Sequence, residues 1–518
     1  MSKFKSTLIL ASIMLLGFIA PDFLAKIFTS SNQAALSGKF IGALCMLAIF
    51  LSMTPRIVIY LVISFLAVIE LIQFGHLFYY NSLITSTKFR LLFSEFDEIL
   101  LMTGEALTFM YIVPFLVLLP YGIIIFATII LDSKRFKTKW AIIPVVLFFA
   151  FIPYRVNKVY HGANYYPDPT DHSLRNSLYT VTNSLYNLIY PQKVSGTDYL
   201  SYDIEPINTD LKDTNVILII GESANYSHMS LFGYKRDTNP LLSSLKTDPN
   251  FVYLKGYSGA VSTPVSLPML MNNIYEPNNM KALEEKKANL FKLAKQHNFK
   301  TFYISAQSGA LLTNLGAEFI DYTMFRGKDP LMFNQYQDEA LLKIIPDLDY
   351  GERNFIVINQ RSAHAPYEEN YQHNPEFNHF AVDRNNYQQF RIDTYDNAMR
   401  YNDFIIYKIL EFYKQKFAGP TYIFFTSDHG EVLDSNKVAF GHADLKEEVA
   451  EIPFLAYSHN SSNLDLKDLR EPVAHYELGC LIAKIMGFKI NNPNKKDNAF
   501  YIHGTDLSGH NEFIEYHK

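Results

Sequence analysis

The hydrophobic pattern divides this chain into two unlike parts. Over the first third, apolar residues continue for about 20 positions at a time, the length that crosses a hydrocarbon core. The candidate spans are Leu8 to Phe28, Gly38 to Met53, Ile57 to Tyr79, Phe109 to Leu131 and Trp140 to Tyr154. The first contains Pro21, Asp22 and Lys26, so a signal-peptide core is its competing reading. Beyond Asn215 the apolar runs shorten to strand length and alternate with helix-period segments. Strands are expected at Val216 to Ile220, Lys300 to Ile304, Asn354 to Ile358 and Tyr422 to Phe425, with helices near Leu283 to Gln296 and Tyr395 to Phe417. That alternation predicts a layered α/β domain with a mainly parallel sheet.

Between the spans, Leu92, Phe96 and Ile99 recur at helical spacing among charges and predict a segment lying along the membrane interface, although an ordinary loop with one soluble helix fits as well. From Arg155 to Leu211 the chain is rich in Tyr, Asn, Ser and Pro and reads as a linker with one helix around Leu174 to Leu188. The expected organisation is a transmembrane domain over 1–156, a linker over 157–211 and a catalytic domain over 212–518. Basic residues favour one side of the membrane: Lys3 and Lys5, then Arg56, then Lys134, Arg135, Lys137 and Lys139. On the other side Lys88 and Arg90 are diluted by Glu95, Asp97, Glu98 and Glu105. The positive-inside rule therefore places everything after the fifth span outside.

Composition changes this picture little. Net charge is −5 over 518 residues, and the basic residues form no long block, so there is no nucleic-acid footprint. Cys45 falls in a membrane-like segment and Cys480 in the distal region, which argues against a structural disulfide between them.

The chemistry sits at strand ends. Val216 to Ile220 runs into Gly221-Glu222-Ser223, and Tyr422 to Phe425 runs into Thr426-Ser427-Asp428-His429-Gly430-Glu431. In open α/β sheets, functional groups gather past the carboxyl ends of strands, which brings Glu222, Asp428 and His429 together. Two carboxylates and an imidazole suit zinc or manganese. In Ser262-Thr263-Pro264, Thr263 is placed to cap a helix with Pro264 at its first position. A capping threonine needs no catalysis, but the same geometry would hold its hydroxyl where a helix favours a phosphoryl group, and a metal there would make it a nucleophile. His364 follows the Asn354 strand, and His442 lies in Phe440-Gly441-His442-Ala443. Each alone is more often a packed or capping histidine; their weight lies in combination.

Together these motifs resemble the membrane-anchored phosphoethanolamine transferases of the alkaline phosphatase and sulfatase superfamily. The resemblance covers the apolar beginning and nearly all of Val216 to Phe454. Gly221-Glu222-Ser223 with His228, Leu231-Phe232-Gly233-Tyr234 and Arg236-Asp237-Thr238-Asn239-Pro240 looks like the first metal motif. Ser262 to Pro268 looks like the nucleophile loop, Tyr395-Asp396-Asn397 like the start of the long helix, and Ser427 to Glu431 like the second metal motif.

The resemblance implies an alkaline-phosphatase-like domain in which Glu222, Thr263, Asp428 and His429 bind zinc and Thr263 is the nucleophile. It makes His364 and His442 ligands of the phosphoryl group or of a second metal, and Gln307 a substrate contact. One tight zinc is expected, a second is the open alternative, and manganese is less favoured. The implied reaction takes phosphoethanolamine from phosphatidylethanolamine to lipid A or the lipopolysaccharide core through a covalent phospho-threonine. The implied location is a bacterial inner membrane with the catalytic domain in the periplasm, and the implied phenotype is polymyxin resistance.

There are departures from that family. Its lipid A branch carries several disulfides, two cysteines of which flank the nucleophile loop, where this chain has Gly259 and Met269. Asn225 stands where many relatives have arginine. These bear on the acceptor rather than on the reaction type. A sulfatase activity would need a Cys-x-Pro-x-Arg or Ser-x-Pro-x-Arg motif, which is absent. Phosphoethanolamine or glycerophosphate transfer to a periplasmic glucan, another glycan or a lipoteichoic-acid-like polymer is the alternative reaction, and a non-enzymatic membrane sensor is the alternative class.

Overall fold

The computed structural model describes residues 2–28, 38–80, 82–94, 96–160, 164–168, 171–190, 199–207, 209–433, 441–442, 445–461, 469–505 and 513–518. The chain divides into two compact units, Met1–Lys193 and Val194–Lys518.

The first unit is helical: α1 (Lys3–Phe28), α2 (Gly38–Ser52), α3 (Arg56–Tyr80), α4 (Ser86–Ser94), α5 (Phe96–Met110), α6 (Ile112–Leu131), α7 (Ile142–Tyr160) and α8 (Ser173–Ile189). Leu10, Met14 and Phe18 of α1 and Ile59, Ile63 and Leu66 of α3 are fully buried at helical spacing. Leu16, Phe23, Leu61, Phe65, Phe115 and Phe126 face outward. A bundle apolar on both its inner and outer faces belongs in lipid rather than water. Four helices, α1, α3, α6 and α7, are long and apolar enough to cross a membrane. Among the described residues α2 is a shorter apolar helix whose 15 residues reach about 22 Å, so four of the expected five spans have the length to cross a hydrocarbon core there. The helix expected around Leu174 to Leu188 is α8, and its Leu174, Leu178 and Tyr179 join the core of this bundle. The stretch 157–211 is thereby divided, its helix belonging to the first unit.

The second unit has twelve strands among the described residues: β1 (Asp203–Pro206), β2 (Asn215–Gly221), β3 (Phe251–Tyr257), β4 (Lys300–Ser305), β5 (Tyr322–Phe325), β6 (Asn354–Asn359), β7 (Thr421–Ser427), β8 (Glu451–His459), β9 (Val473–Ala474), β10 (Phe488–Asn491), β11 (Ala499–His503) and β12 (Phe513–His517). Eight of them form one sheet in the order β5-β4-β6-β2-β7-β8-β3-β9. Neighbours from β5 to β7 are parallel, and β8 is antiparallel to both β7 and β3. On one face Val216, Leu218 and Ile220 pack with Leu270, Phe291 and Ile482; Ile217 and Ile219, which point the other way, are equally buried.

Two helices differ from their expected limits. The segment Leu283 to Gln296 is two helices, Met280–Glu285 and Leu290–Gln296, because Lys286 takes a left-handed φ of 49° that ends the first. The long helix begins at Tyr387 rather than Tyr395, capped by the Asn386 side chain.

Candidate active site

The central pair β2 and β7 sets the site. Their parallel register aligns Gly221 with Ser427, so Glu222 and Asp428 emerge side by side at the carboxyl edge of the sheet. Backbone bonds lock that edge. The Asp428 amide donates to the Gly221 carbonyl at 3.0 Å, while Asp428 Oδ1 accepts from the amides of Ser223 at 3.0 Å and His429 at 2.8 Å. Ser223 holds φ at 56°, a left-handed geometry that costs a non-glycine residue energy and recurs at functional sites. Gly430 is required by space, since a Cβ there would lie 2.5 Å from the Glu451 carbonyl oxygen.

Thr263 comes to this edge from the helix Thr263–Met271. The helix cap is Ser262, not Thr263 as the sequence suggested; Thr263 is the first helical residue, and its hydroxyl points at the carboxylates. Thr263 Oγ1 lies 2.6 Å from Asp428 Oδ2, 3.3 Å from Glu222 Oε2 and 3.3 Å from His429 Nε2. Ser266, one turn on, donates to the Asp428 carbonyl at 2.5 Å and ties this helix to the end of β7.

The arrangement of donors and acceptors fits a cation. His429 Nδ1 donates to the Gly430 carbonyl at 2.9 Å, so Nε2 carries the lone pair. That lone pair faces Glu222 Oε1 and Asp428 Oδ2, each at 3.4 Å. Ligand atoms of Glu222, Asp428 and His429 all lie within 4.8 Å of one another, and the three side chains are buried. Such a nitrogen turned on two carboxylates matches the ligand chemistry of zinc. Burial and the Asp428 charge push the Glu222 carboxyl well above its usual range. At Asp428 burial acts in the same sense but is outweighed by His429 and by bonds from Glu222 and Thr263, so its carboxyl stays low. Burial lowers the His429 pKa below the usual imidazole range, with Asp428 opposing that shift and His442 adding to it.

All the residues singled out in the sequence gather here. Gln307 Nε2 donates to Glu222 Oε2 at 2.9 Å and to the Gln360 carbonyl at 2.7 Å, so in this structure it steadies Glu222. The His442 ring centroid lies 4.5 Å from that of His429 and 6.3 Å from that of His364. His442 Nδ1 bonds Glu431 Oε2 at 3.0 Å, and Glu431 Oε1 accepts from Tyr367 at 2.6 Å and from Arg391 at 3.2 Å. Arg391, on the first turns of the helix Tyr387–Lys416, carries no local sequence signal that marks it as part of the site.

The first motif has a structural use. His228, Tyr234 and Arg236 all bond the Asp396 carboxylate, at 2.8, 2.9 and 2.9 Å, and the Tyr395 hydroxyl donates to the Ser223 carbonyl at 2.7 Å. Asn225 Nδ2 donates to the Glu431 and Glu448 carbonyls, at 3.3 and 3.2 Å. Gly259 and Met269 face each other: a Cβ at Gly259 would stand 3.7 Å from Met269 Cβ, so the thioether fills the space between loop and helix.

Comparison with known proteins extends this picture. The Kdo(2)-lipid A phosphoethanolamine 7''-transferase of Escherichia coli K12 is 27% identical over 324 residues, covering 58% of this chain and 55% of that protein. The phosphoethanolamine transferase EptA of Helicobacter pylori is 26% identical over 287 residues, 52% of each chain. This chain thus spans about half the length of the curated relatives it matches. The integral membrane lipooligosaccharide phosphoethanolamine transferase A of Neisseria meningitidis shares the fold across both units, with a TM-score of 0.60 at 16% identity over 94% of this chain and 96% of that one. The Sulfatase family pattern matches residues 214–479, just over half the chain and the whole of the edge that carries Glu222, Thr263, Asp428 and His429, and the protein belongs to that family.

Proposed function

We propose that this protein is a zinc-dependent transferase that moves phosphoethanolamine from phosphatidylethanolamine to lipid A or the lipopolysaccharide core. The observation that carries the reading is the Thr263 hydroxyl held within 3.3 Å of Glu222, Asp428 and His429 at the end of a parallel sheet. The names of the curated relatives support the group transferred.

Thr263 Oγ attacks the phosphorus of the donor, the bond to the diacylglycerol oxygen breaks, and diacylglycerol leaves with a proton. Asp428 Oδ2, 2.6 Å from Thr263 Oγ1, holds that hydroxyl in line before the attack. A zinc ion bound by Glu222, Thr263, Asp428 and His429 would lower the hydroxyl pKa and draw charge from the phosphoryl oxygens. His442, held by Glu431, and His364 beside it stabilise the remaining phosphoryl charge. An acceptor oxygen then attacks the same phosphorus, breaks its bond to Thr263 and restores the free threonine. Both substrates are amphiphiles, which accounts for a catalytic unit carried on membrane helices.

With the catalytic unit in the periplasm, a reporter fused after Lys518 is active outside the cytoplasmic membrane and one in the Asp132 to Lys139 loop is not. Expression in a Gram-negative host lacking such enzymes should add phosphoethanolamine to lipid A, detected by mass spectrometry, and raise polymyxin tolerance, because an added ammonium reduces net negative charge. Unchanged lipid A and lipopolysaccharide core alongside a modified periplasmic glucan would replace the acceptor; release of a glycerol-bearing product would replace the transferred group.

A further inference from the structure

A second triad of the same chemical type lies in the first unit. Asp22 of α1, Glu70 of α3 and His172 just before α8 bring ligand atoms within 4.8 Å of one another. Their exposures are 2%, 0% and 0%. Tyr121 of α6 donates to Glu70 Oε2 at 2.8 Å. The Ser173 amide donates to Asp22 Oδ1 at 3.0 Å, and Ser173 Oγ lies 2.7 Å from Asp22 Oδ2 and 3.0 Å from Glu70 Oε1. Four helical elements therefore meet at two carboxylates inside a lipid-facing bundle.

Counting hydrogens shows what these contacts lack. The Leu174 amide donates to His172 Nδ1 at 3.1 Å, which assigns that nitrogen a lone pair. Asp22 Oδ2 nevertheless sits 3.2 Å from the same atom, acceptor against acceptor. Ser173 has one hydroxyl hydrogen for two carboxylate oxygens. Gln73, one turn beyond Glu70 on the same face of α3, is fully buried with neither amide atom hydrogen-bonded, and His172 Nε2 is likewise unpartnered. Among the described residues neither carboxylate forms a salt bridge to lysine or arginine. Two negative charges in a bundle core are costly unless neutralised, and ionisable groups inside membrane helices mark functional sites.

We propose that Asp22, Glu70 and His172, with Ser173 Oγ as an additional oxygen, form a structural site for a divalent transition metal of the zinc or manganese class. Two carboxylates and one imidazole match the borderline ions, and a dication cancels the pair of charges. The His172 nitrogen gives up one capping bond to Leu174 in exchange. The ion clasps α1, α3 and the start of α8, while Tyr121 extends the clasp to α6. It holds the helix that precedes the chain's passage into the second unit. This site is independent of the proposed reaction at Thr263.

The test uses the full chain in detergent with the second-unit ligands removed by Glu222→Gln and Asp428→Asn, loaded separately with zinc and manganese, dialysed and analysed by mass spectrometry for metal. One ion per chain is expected to remain, and chelation is expected to lower the melting temperature. Adding Asp22→Asn or Glu70→Gln should reduce retention at least tenfold; because both side chains also hold Ser173 in the bundle, cobalt loading of the parent chain supplies a second readout, with visible bands that zinc displaces. Retention of neither metal, which a proton-sharing carboxyl pair would produce, overturns the proposal. So does retention unaffected by both substitutions, or a cobalt-loaded parent chain without such bands.

Discussion

Thr263 Oγ1 and Asp428 Oδ2, 165 residues apart in sequence, lie 2.6 Å apart in the folded protein. The contact joins the first residue of a helix to the first residue past a central strand. It gives Thr263 a partner that a simple helix start would not supply.

Removing that hydroxyl separates catalysis from folding. Thr263→Ala should abolish transfer while costing only about 1 kcal/mol of stability, since the residue is partly exposed and loses one hydrogen bond. Thr263→Ser should keep part of the activity. The checks are turnover on a phosphoethanolamine ester and thermal unfolding; wild-type turnover in the alanine variant removes Thr263 from the mechanism.

Gln307 touches Glu222 Oε2 at 2.9 Å, so its effect should appear in the metal rather than in the fold. Loss of such an outer contact typically weakens metal affinity by about 10- to 100-fold. Gln307→Ala should shift zinc binding in a chelator competition by that order, and Gln307→Glu should fail to restore it because the donor is gone. Unaltered zinc affinity in both variants would mean that Gln307 serves only substrate.

The apposed Gly259 and Met269 offer a covalent test of the nucleophile loop. Their Cβ positions, 3.7 Å apart, fall in the range that a disulfide spans. Gly259→Cys combined with Met269→Cys should oxidise to one internal crosslink, visible as a loss of two hydrogens by intact-mass analysis, with activity retained. Native Cys45 and Cys480 should then be the two thiols left, and four free thiols after oxidation would show that the loop and helix are placed differently.

The pH dependence of stability should contain a signature of His503. Burial, opposed by the bond to the Gly259 carbonyl, lowers its pKa to about 4. The unfolded chain, with an ordinary value near 6.5, takes up a proton that the folded chain refuses as pH falls from about 6.5 to 4. Stability from this group is therefore present above that window and lost on acidification, by up to about 3 kcal/mol. His503→Asn, which can still donate to Gly259, should lose less stability than wild type between pH 7.5 and 5, measured by circular dichroism melts. Parallel curves for the two chains would refute the assignment.

The sequence by itself determined the elements that local chemistry dictates. Uninterrupted apolar runs can be satisfied only as membrane helices or buried strands, so α1, α3, α6 and β2, β4, β6 and β7 were legible within a few residues. Glu222, Asp428 and His429 were legible because parallel strands expose their carboxyl ends at one edge. The tertiary structure decided what depends on distant partners. Ser262 takes the cap position by its backbone alone while the Thr263 hydroxyl goes to Asp428, and Arg391 reaches Glu431 from the long helix Tyr387–Lys416. Asp22, Glu70 and His172 are scattered over 150 residues among unrelated patterns, and only the packing of α1, α3 and α8 makes them neighbours. Periodicity reports which face of an element is buried; it does not report what that face meets.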